Sequence, residues 1–254
     1  VIRWKSFDNK EISGIIQKPK SVAEKLPVII YIHGGPKLQY QPYFNVFRTF
    51  PVSYLNAASI YTNIRGSSGF GREFANLDNG EKRIDSIKDL EALINWIEKQ
   101  PELDSSKIVV KGDSFGGFLA LALAIRNPFK IKGVIAESPV ISVKNAFYYS
   151  SKSVQDSLKD EYGSDETMSS LESLSALNEK NLESLKKIPI FLSVGQKDVR
   201  VPVADVENLK NQLKAKGIAV WFLKALNEGH YWGDYDNRIF LNLSEIMFLK
   251  ELGF

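Results

Sequence analysis

The stretch that decides the fold is KIVVKGDSFGG, residues 107–117, which continues as FLALALA to residue 124. A short apolar run leads into Gly-x-Ser-x-Gly and then into an apolar helical pattern, which predicts a strand, a sharp turn and a helix. A serine at such a turn has a strained backbone and presents its hydroxyl at the edge of a sheet. The flanking glycines are needed because strand and helix come so close that a Cβ would clash. Ser114 is therefore the candidate nucleophile.

The composition limits the class of protein. The 254 residues are 44% hydrophobic and 25% charged, which is enough for one large α/β domain with a buried sheet. The net charge of +3 comes from 33 basic and 30 acidic residues without a basic block, which argues against a nucleic-acid partner. No apolar run is long enough to span a bilayer, so no membrane partner is expected. With no cysteine and only two histidines, neither a metal nor a cofactor is expected.

The rest of the chain alternates predicted strands and helices. Two short strands of alternating polarity at the start, residues 2–7 and 12–17, are typical of a sheet edge. From residue 28 onward buried strands alternate with helices, which predicts a mostly parallel, doubly wound α/β sheet with helices on both faces. Residues 144–186 are Ser-rich and charged and predict a helical excursion over the carboxyl edge of this sheet. Residues 1–254 are thus expected to form a single domain. The predicted strands cover residues 28–32, 58–63, 107–113, 133–138, 189–194 and 220–226, and the predicted helices cover residues 84–100, 115–127, 203–216 and 238–252.

A serine hydroxyl needs a general base within hydrogen-bonding distance and a carboxylate that orients this base. In hydrolases with this turn the chain order is Ser, then Asp or Glu, then His. His33 precedes Ser114 and fails that order, whereas His230 follows it in the loop after the last predicted strand. His230 is therefore the candidate base.

Three carboxylates are candidates for the acid. Asp198 follows a predicted strand in a loop bounded by Gly195 and Pro202, which makes a rigid support for an orienting group. Glu137 ends the strand that comes after the helix following Ser114, and it is the second choice. Glu228 is only two residues before His230, too close in the chain to approach the imidazole from behind easily. The loop geometry favours Asp198.

The oxyanion of an acyl-transfer intermediate requires two N–H donors. The backbone N–H of Phe115, the residue after the nucleophile, is one candidate. The second is expected from the loop HGGP, residues 33–36, where Gly35 is favoured over Gly34. Two neighbouring charges receive no catalytic role. Asp113 is expected to point away from the substrate and to pair with a cation, and Arg65 is expected to form a buried fork that holds loop carbonyls.

Taken together, six motifs resemble the catalytic domain of the prolyl oligopeptidase family of serine peptidases, within the α/β-hydrolase superfamily. They occur in the order of that family and span nearly the whole chain. With histidine at position 33, the pattern is similar to the acylaminoacyl-peptidase-like branch. The motifs are SFDNKEISG (residues 6–14), HGGP (33–36), NIRGSSGFG (63–71), GDSFGG (112–117), GQKDVRVP (195–202) and EGH (228–230).

The resemblance implies an α/β-hydrolase fold and a triad of Ser114, Asp198 and His230. It also implies that Phe115, Val140 and Phe147 help to line an apolar pocket for the substrate side chain before the scissile bond. Because His33 replaces a tyrosine found in other branches, a backbone donor is expected for the oxyanion. Peptidases of this family usually carry an N-terminal β-propeller, and no blade-like repeat is present here. The domain is therefore expected either to belong with a propeller in a longer parent chain or to stand alone.

These inferences predict a serine hydrolase that cleaves short peptides through an acyl-enzyme intermediate. A carboxylesterase on the same scaffold is the alternative, because ester and amide hydrolysis would use every residue named above. A non-catalytic binding module that kept the fold is a second alternative. The expected partner is thus a peptide or ester substrate, and a homo-oligomer is compatible with the sequence.

Overall fold

The computed structural model describes residues 1–20, 24–35, 37–43 and 45–254. Pro36, predicted as part of the HGGP loop, lies outside the described residues. A central sheet of eight strands has the order β1-β2-β4-β3-β5-β6-β7-β8. The strands are β1 (Ile2–Lys5), β2 (Glu11–Gln17), β3 (Leu26–Ile32), β4 (Ala58–Asn63), β5 (Leu103–Asp113), β6 (Ile131–Glu137), β7 (Ile190–Gly195) and β8 (Val220–Ala225).

The sheet is mostly parallel. Strand β1 pairs with β2 and β2 with β4 in antiparallel fashion, while every pair from β4 through β3 to β8 is parallel. The predicted doubly wound sheet with a two-stranded edge is therefore confirmed. In such sheets the carboxyl ends of the parallel strands meet at one edge, where side chains can form a site.

Helices cover both faces of the sheet. The described residues form ten α-helices and a short 3₁₀ helix at Gly80–Ile84. The α-helices are α1 (Val46–Tyr54), α2 (Arg72–Ala75), α3 (Asp85–Ile97), α4 (Phe115–Arg126), α5 (Val143–Tyr149), α6 (Lys152–Tyr162), α7 (Asp165–Glu172), α8 (Glu179–Ser184), α9 (Val203–Ala215) and α10 (Tyr235–Glu251).

Two apolar clusters fix these helices, one on each face. Residues Ile30 and Val110 point into the cluster that holds α3, α4 and α9, and their neighbours Ile29 and Val109 point into the cluster that holds α10. This alternation follows from the two-residue period of a strand. On α3 the predicted apolar stripe is buried throughout, and each such side chain contributes about 1.5–3 kcal/mol when removed from water. The stripe comprises Ile87, Leu90, Ile94 and Ile97.

Several predicted boundaries require correction, and helices α1 and α2 were not predicted. Strand β1 ends at Lys5 rather than residue 7, and β5 begins at Leu103 rather than residue 107. The helix expected over 84–100 is α3, which ends at Ile97, and α10 begins at Tyr235 rather than residue 238. Helix α1 was not predicted, because Pro51 in its interior is typical of a helix boundary. Asn45 caps α1, since its side-chain oxygen accepts from the N–H groups of Phe47 and Arg48 at 2.9 and 3.3 Å.

The segment 144–186 is helical, as predicted. Helices α5 to α8 span it and bury apolar side chains against the cluster on the α4 face, among them Ala146, Tyr162, Met168, Leu171 and Leu182. These helices flank the carboxyl edge of β6, so the excursion forms one wall of the region in front of Ser114.

Candidate active site

The turn between β5 and α4 has the strained geometry that the Gly-x-Ser-x-Gly pattern predicts. Ser114 has φ 54° and ψ −119°, a conformation that side-chain-bearing residues rarely adopt. A Cβ on Gly112 would lie 2.1 Å from the carbonyl oxygen of Gly116, and a Cβ on Gly116 would lie 2.3 Å from that of Ile32. Both positions therefore require glycine, because the neighbouring backbone lies too close for a Cβ. The strain aims the Ser114 hydroxyl away from the sheet.

The three predicted catalytic side chains meet at this edge. The Nε2 atom of His230 lies 3.0 Å from Ser114 Oγ, and its Nδ1 atom lies 2.8 Å from Asp198 Oδ2. Both distances are within normal hydrogen-bonding range. The side chain of Asp198 is fully buried and that of His230 is 4% exposed, so water competes little for either contact.

The loop after β7 holds the carboxylate of Asp198 in a fixed orientation. Its Oδ1 atom accepts from the backbone N–H groups of Arg200 and Val201 at 2.8 and 2.9 Å, which leaves Oδ2 for His230. The hydroxyl of Tyr149 on α5 donates to the backbone carbonyl of Asp198 at 3.2 Å and so ties the helical excursion to this loop.

The other two carboxylates considered for the acid have different partners. Glu137 forms an ion pair with Lys111 at 2.6 Å. Burial opposes its charge, but the ammonium of Lys111 lowers its pKa. Glu228 accepts from the backbone N–H groups of Gly233 and Asp234 at 2.8 and 3.1 Å, so it shapes the loop that carries His230.

The proposed oxyanion donors both lie beside Ser114. Phe115 is the first residue of α4, where N–H groups have no acceptor within the helix and the helix dipole is positive. The loop after β3 packs onto the nucleophile, since a Cβ on Gly34 would lie 3.2 Å from that of Ser114. Gly35, with φ +132°, lines the same cavity as Ser114. Only glycine readily adopts this conformation.

A cavity of about 390 Å³ lies in front of Ser114. Val140 and Phe147, two of the predicted pocket residues, line it. The ring of Phe115 is only 3% exposed and packs 5.9 Å from that of Tyr162, which also lines the cavity. Mostly apolar walls therefore surround the space next to the nucleophile.

Asp113, next to the nucleophile, and Arg65 have surroundings that the sequence did not indicate. Asp113 takes part in none of the ion pairs among the described residues, although a cation was expected. The backbone of Gly34 packs against its carboxylate instead, since a Cβ on Gly34 would lie 2.6 Å from Asp113 Oδ2. Burial, with Glu137 nearby, raises the pKa of Asp113 to about 6. Arg65 is buried as predicted, but its guanidinium binds the carboxylates of Asp89 and Asp8, at 2.8 and 3.1 Å, rather than loop carbonyls.

The side chain of His33 takes no part in the hydrogen bonds that join Ser114, His230 and Asp198. Its Nδ1 atom lies 2.8 Å from the carbonyl oxygen of Gly34 and its Nε2 atom 2.8 Å from Ser67 Oγ. Burial lowers its pKa, so a neutral ring supports the loop that carries Gly35.

Sequence reasoning missed a buried charge cluster beside the cavity. Arg83, 1% exposed, binds Asp78 at 2.9 Å and Glu161 at 2.7 Å, and its guanidinium lies 5.0 Å from the Phe115 ring and 5.2 Å from that of Tyr162. Burial raises the pKa of Asp78 to about 6. Arg83 and Glu161 are 78 residues apart in the chain. Each lies in a charged stretch of sequence that is typical of the solvent-exposed face of a helix. No local pattern could have paired them.

Within the described residues, no three His, Asp or Glu side chains are grouped as metal ligands. None of the helices in that part of the chain is both long and apolar enough to cross a lipid bilayer.

The eight-stranded, mostly parallel sheet and the Ser–His–Asp arrangement at its carboxyl edge define a protein of the α/β-hydrolase fold class. Residues 42–252 match the model of the prolyl oligopeptidase family. The chain belongs to the prolyl oligopeptidase family, which confirms the resemblance that the sequence motifs indicated.

Relatives and solved structures agree with this assignment. The chain is 26% identical over 234 residues to the acylamino-acid-releasing enzyme of Rattus norvegicus, covering 88% of this chain and 31% of the relative. It is 24% identical over 260 residues to dipeptidyl aminopeptidase BIII of Pseudoxanthomonas mexicana, covering 97% of this chain and 37% of the relative. The structure of uncomplexed Pyrococcus horikoshii acylaminoacyl peptidase superposes with a TM-score of 0.83 at 25% identity, covering 98% of this chain and 40% of that one. The chain thus spans about a third of the length of these curated relatives.

Proposed function

We propose that this chain is the catalytic domain of a serine peptidase that cleaves short peptides through an acyl-enzyme intermediate. The observation that carries the proposal is the continuous relay from Ser114 Oγ through His230 to Asp198, with contacts of 3.0 and 2.8 Å. A second support is the names of two similar proteins, one an acylamino-acid-releasing enzyme and one a dipeptidyl aminopeptidase.

Acylation begins when the Ser114 hydroxyl attacks the substrate carbonyl. His230 Nε2 takes the hydroxyl proton as the new C–O bond forms, and Asp198 stabilises the imidazolium that results. The carbonyl oxygen becomes an oxyanion, which accepts from the N–H of Phe115 and from the N–H of Gly35. The imidazolium then gives its proton to the leaving amine as the C–N bond breaks.

Deacylation repeats these steps with water in place of the serine. His230 takes a proton from the water, the water oxygen attacks the ester carbonyl, and the imidazolium returns its proton to Ser114 Oγ as the acyl group leaves. The apolar walls at Val140 and Phe147, with Phe115 behind them, receive the side chain before the scissile bond.

The test compares the purified wild-type chain with Ser114→Ala on aminoacyl p-nitroanilides and on p-nitrophenyl esters. Turnover of the anilides that Ser114→Ala abolishes supports the peptidase. Turnover of the esters alone supports a carboxylesterase on the same relay, and turnover of neither supports a binding module. Ser244→Ala is the matched control, since that hydroxyl donates to the backbone carbonyl of Phe240 on α10 and should leave rates unchanged.

We further propose that this domain works with a β-propeller in a longer parent chain. The support is that the curated relatives are about three times as long as the part they share with this chain. The reading frame upstream of Val1 tests this point. Repeated four-stranded blades encoded there would agree with the proposal, and a frame without such repeats would contradict it.

A further inference from the structure

The cavity in front of Ser114 has one buried carboxylate on its wall. Glu161, near the end of α6, lines this cavity together with Ser114, although its side chain is only 3% exposed. A buried carboxylate next to a substrate site requires fixed partners, because an unpaired charge is costly to bury.

One oxygen of Glu161 is held firmly. Arg83 Nη2 donates to Glu161 Oε2 at 2.7 Å, and the same guanidinium donates to the backbone carbonyl of Glu161 at 2.9 and 3.2 Å. Because Arg83 is itself buried and also bound to Asp78, it fixes the position of the carboxylate. The negative charge of Glu161 therefore stays at the cavity wall.

The other oxygen of Glu161 has a more exposed partner. Oε1 forms an ion pair with Lys37 Nζ, and the side chain of Lys37 is 39% exposed and also lines the cavity. The same ammonium donates to Asn76 Oδ1 at 3.0 Å, which offers Lys37 a second acceptor if it leaves Glu161. Because the ammonium of Lys37 reaches solvent and has this second acceptor, a competing cation can replace it at Oε1.

We propose that Glu161 selects substrates with a lysine or arginine side chain before the scissile bond, whose cationic head group displaces Lys37 from Oε1. The inference rests on the proposed function, since it assigns the specificity of the same site. The aliphatic stem of a lysine or arginine packs on Val140, Phe147 and Tyr162, while its charged end reaches the carboxylate. The exchange keeps the charge balance of the wall, because one ammonium leaves as another cation enters.

The experiment measures kcat/KM for four acylated p-nitroanilides that differ only in the last residue: lysine, arginine, norleucine and phenylalanine. Norleucine has the apolar stem without the charge, so the lysine-to-norleucine ratio isolates the contact with Glu161. In the wild type this ratio should be about tenfold or more, as expected for a hydrogen bond to a charged group. Lys37→Met should raise the ratio, because the competing ammonium is gone.

Glu161→Gln should bring the ratio to about one, since an amide keeps the size of the side chain but not its charge. Lys186→Met is the matched control, because that lysine pairs with Glu183 on the exposed end of α8 and should leave the ratio unchanged. Lys37 is partly exposed, so Lys37→Met also tests the inference if Glu161→Gln does not fold.

The outcomes separate the inference from the proposed function. Turnover that depends on Ser114, with lysine no better than norleucine in the wild type, overturns the inference and leaves the peptidase standing. A Lys37→Met ratio equal to or below that of the wild type also overturns it. Absence of turnover with all four anilides counts against both.

Discussion

The Asp198→Asn substitution is the sharpest perturbation of the relay, because the structure fixes how the new amide must lie. Two backbone N–H groups, of Arg200 and Val201, donate to Oδ1 at 2.8 and 2.9 Å. The amide oxygen keeps this position, since an NH₂ group there would face two donors and leave them unpaired, at about 1–3 kcal/mol for each buried group.

The NH₂ group of the amide must then face His230 Nδ1, where Oδ2 stood at 2.8 Å. It donates to Nδ1, so the ring proton moves to Nε2 and points at Ser114. A ring in this tautomer cannot accept the serine proton. The loss of kcat is expected to be about 10⁴-fold, as found when the orienting aspartate of a serine protease triad becomes asparagine. That corresponds to about 5.4 kcal/mol in the activation free energy.

The assay is the initial rate of a peptide p-nitroanilide, with circular dichroism and thermal unfolding as checks on folding. Folding should be retained because both backbone hydrogen bonds to the loop remain. Asp205→Asn is the matched control: its carboxylate accepts from Asn145 at 3.1 Å at the start of α9, and kcat should not change. A loss smaller than tenfold in Asp198→Asn would refute the assignment of this residue as the orienting acid.

Three further predictions concern stability and the turn. Burial raises the pKa of Asp113 to about 6 in the folded state, so the folded protein binds this proton more tightly than the unfolded chain does. Protonation of Asp113 therefore stabilises the fold at low pH, and this contribution is lost as pH rises from about 4 to 6. Asp113→Asn should therefore raise the free energy of unfolding more at pH 8 than at pH 4, and equal effects by urea titration would contradict this. Arg65→Met should cost about 3–5 kcal/mol by the same titration, because it leaves the fully buried carboxylate of Asp89 without its ion pair, while Arg3→Met in an exposed pair should cost no more than about 1 kcal/mol. Gly116→Ala should abolish soluble expression or activity, since its Cβ would lie 2.3 Å from a backbone oxygen, whereas Gly233→Ala meets nothing within 4 Å and should be tolerated.

The parts of the fold that could be predicted are those that local sequence specifies. The continuous apolar run of β3 is typical of a strand buried on both faces, and the apolar stripe of α3 carries the period of a helix. Helix α1 could not be predicted, because Pro51 suggests a break, whereas in the structure this proline is the buried residue of the helix and its packing overrides that preference.

The same distinction applies to the site. Each of Ser114, Asp198 and His230 follows a strand, so the topology of a parallel sheet brings them to one edge. Their order along the chain, Ser then Asp then His, indicates which is the nucleophile, which the acid and which the base. The link between Arg83 and Glu161 depends on how α6 folds back over the cavity, which no local pattern states. Asp113 illustrates the same limit, since the backbone of Gly34, from a distant loop, packs against it where a cation was expected.

The central claim is that Ser114 Oγ is the group that the relay activates. Intact-protein mass spectrometry after reaction with a fluorophosphonate tests it most directly. We expect one phosphonyl adduct per wild-type chain, located on Ser114, no adduct on Ser114→Ala and much slower labelling of His230→Ala. Stoichiometric labelling of Ser114→Ala, or an unlabelled wild-type chain that is correctly folded, would contradict the account.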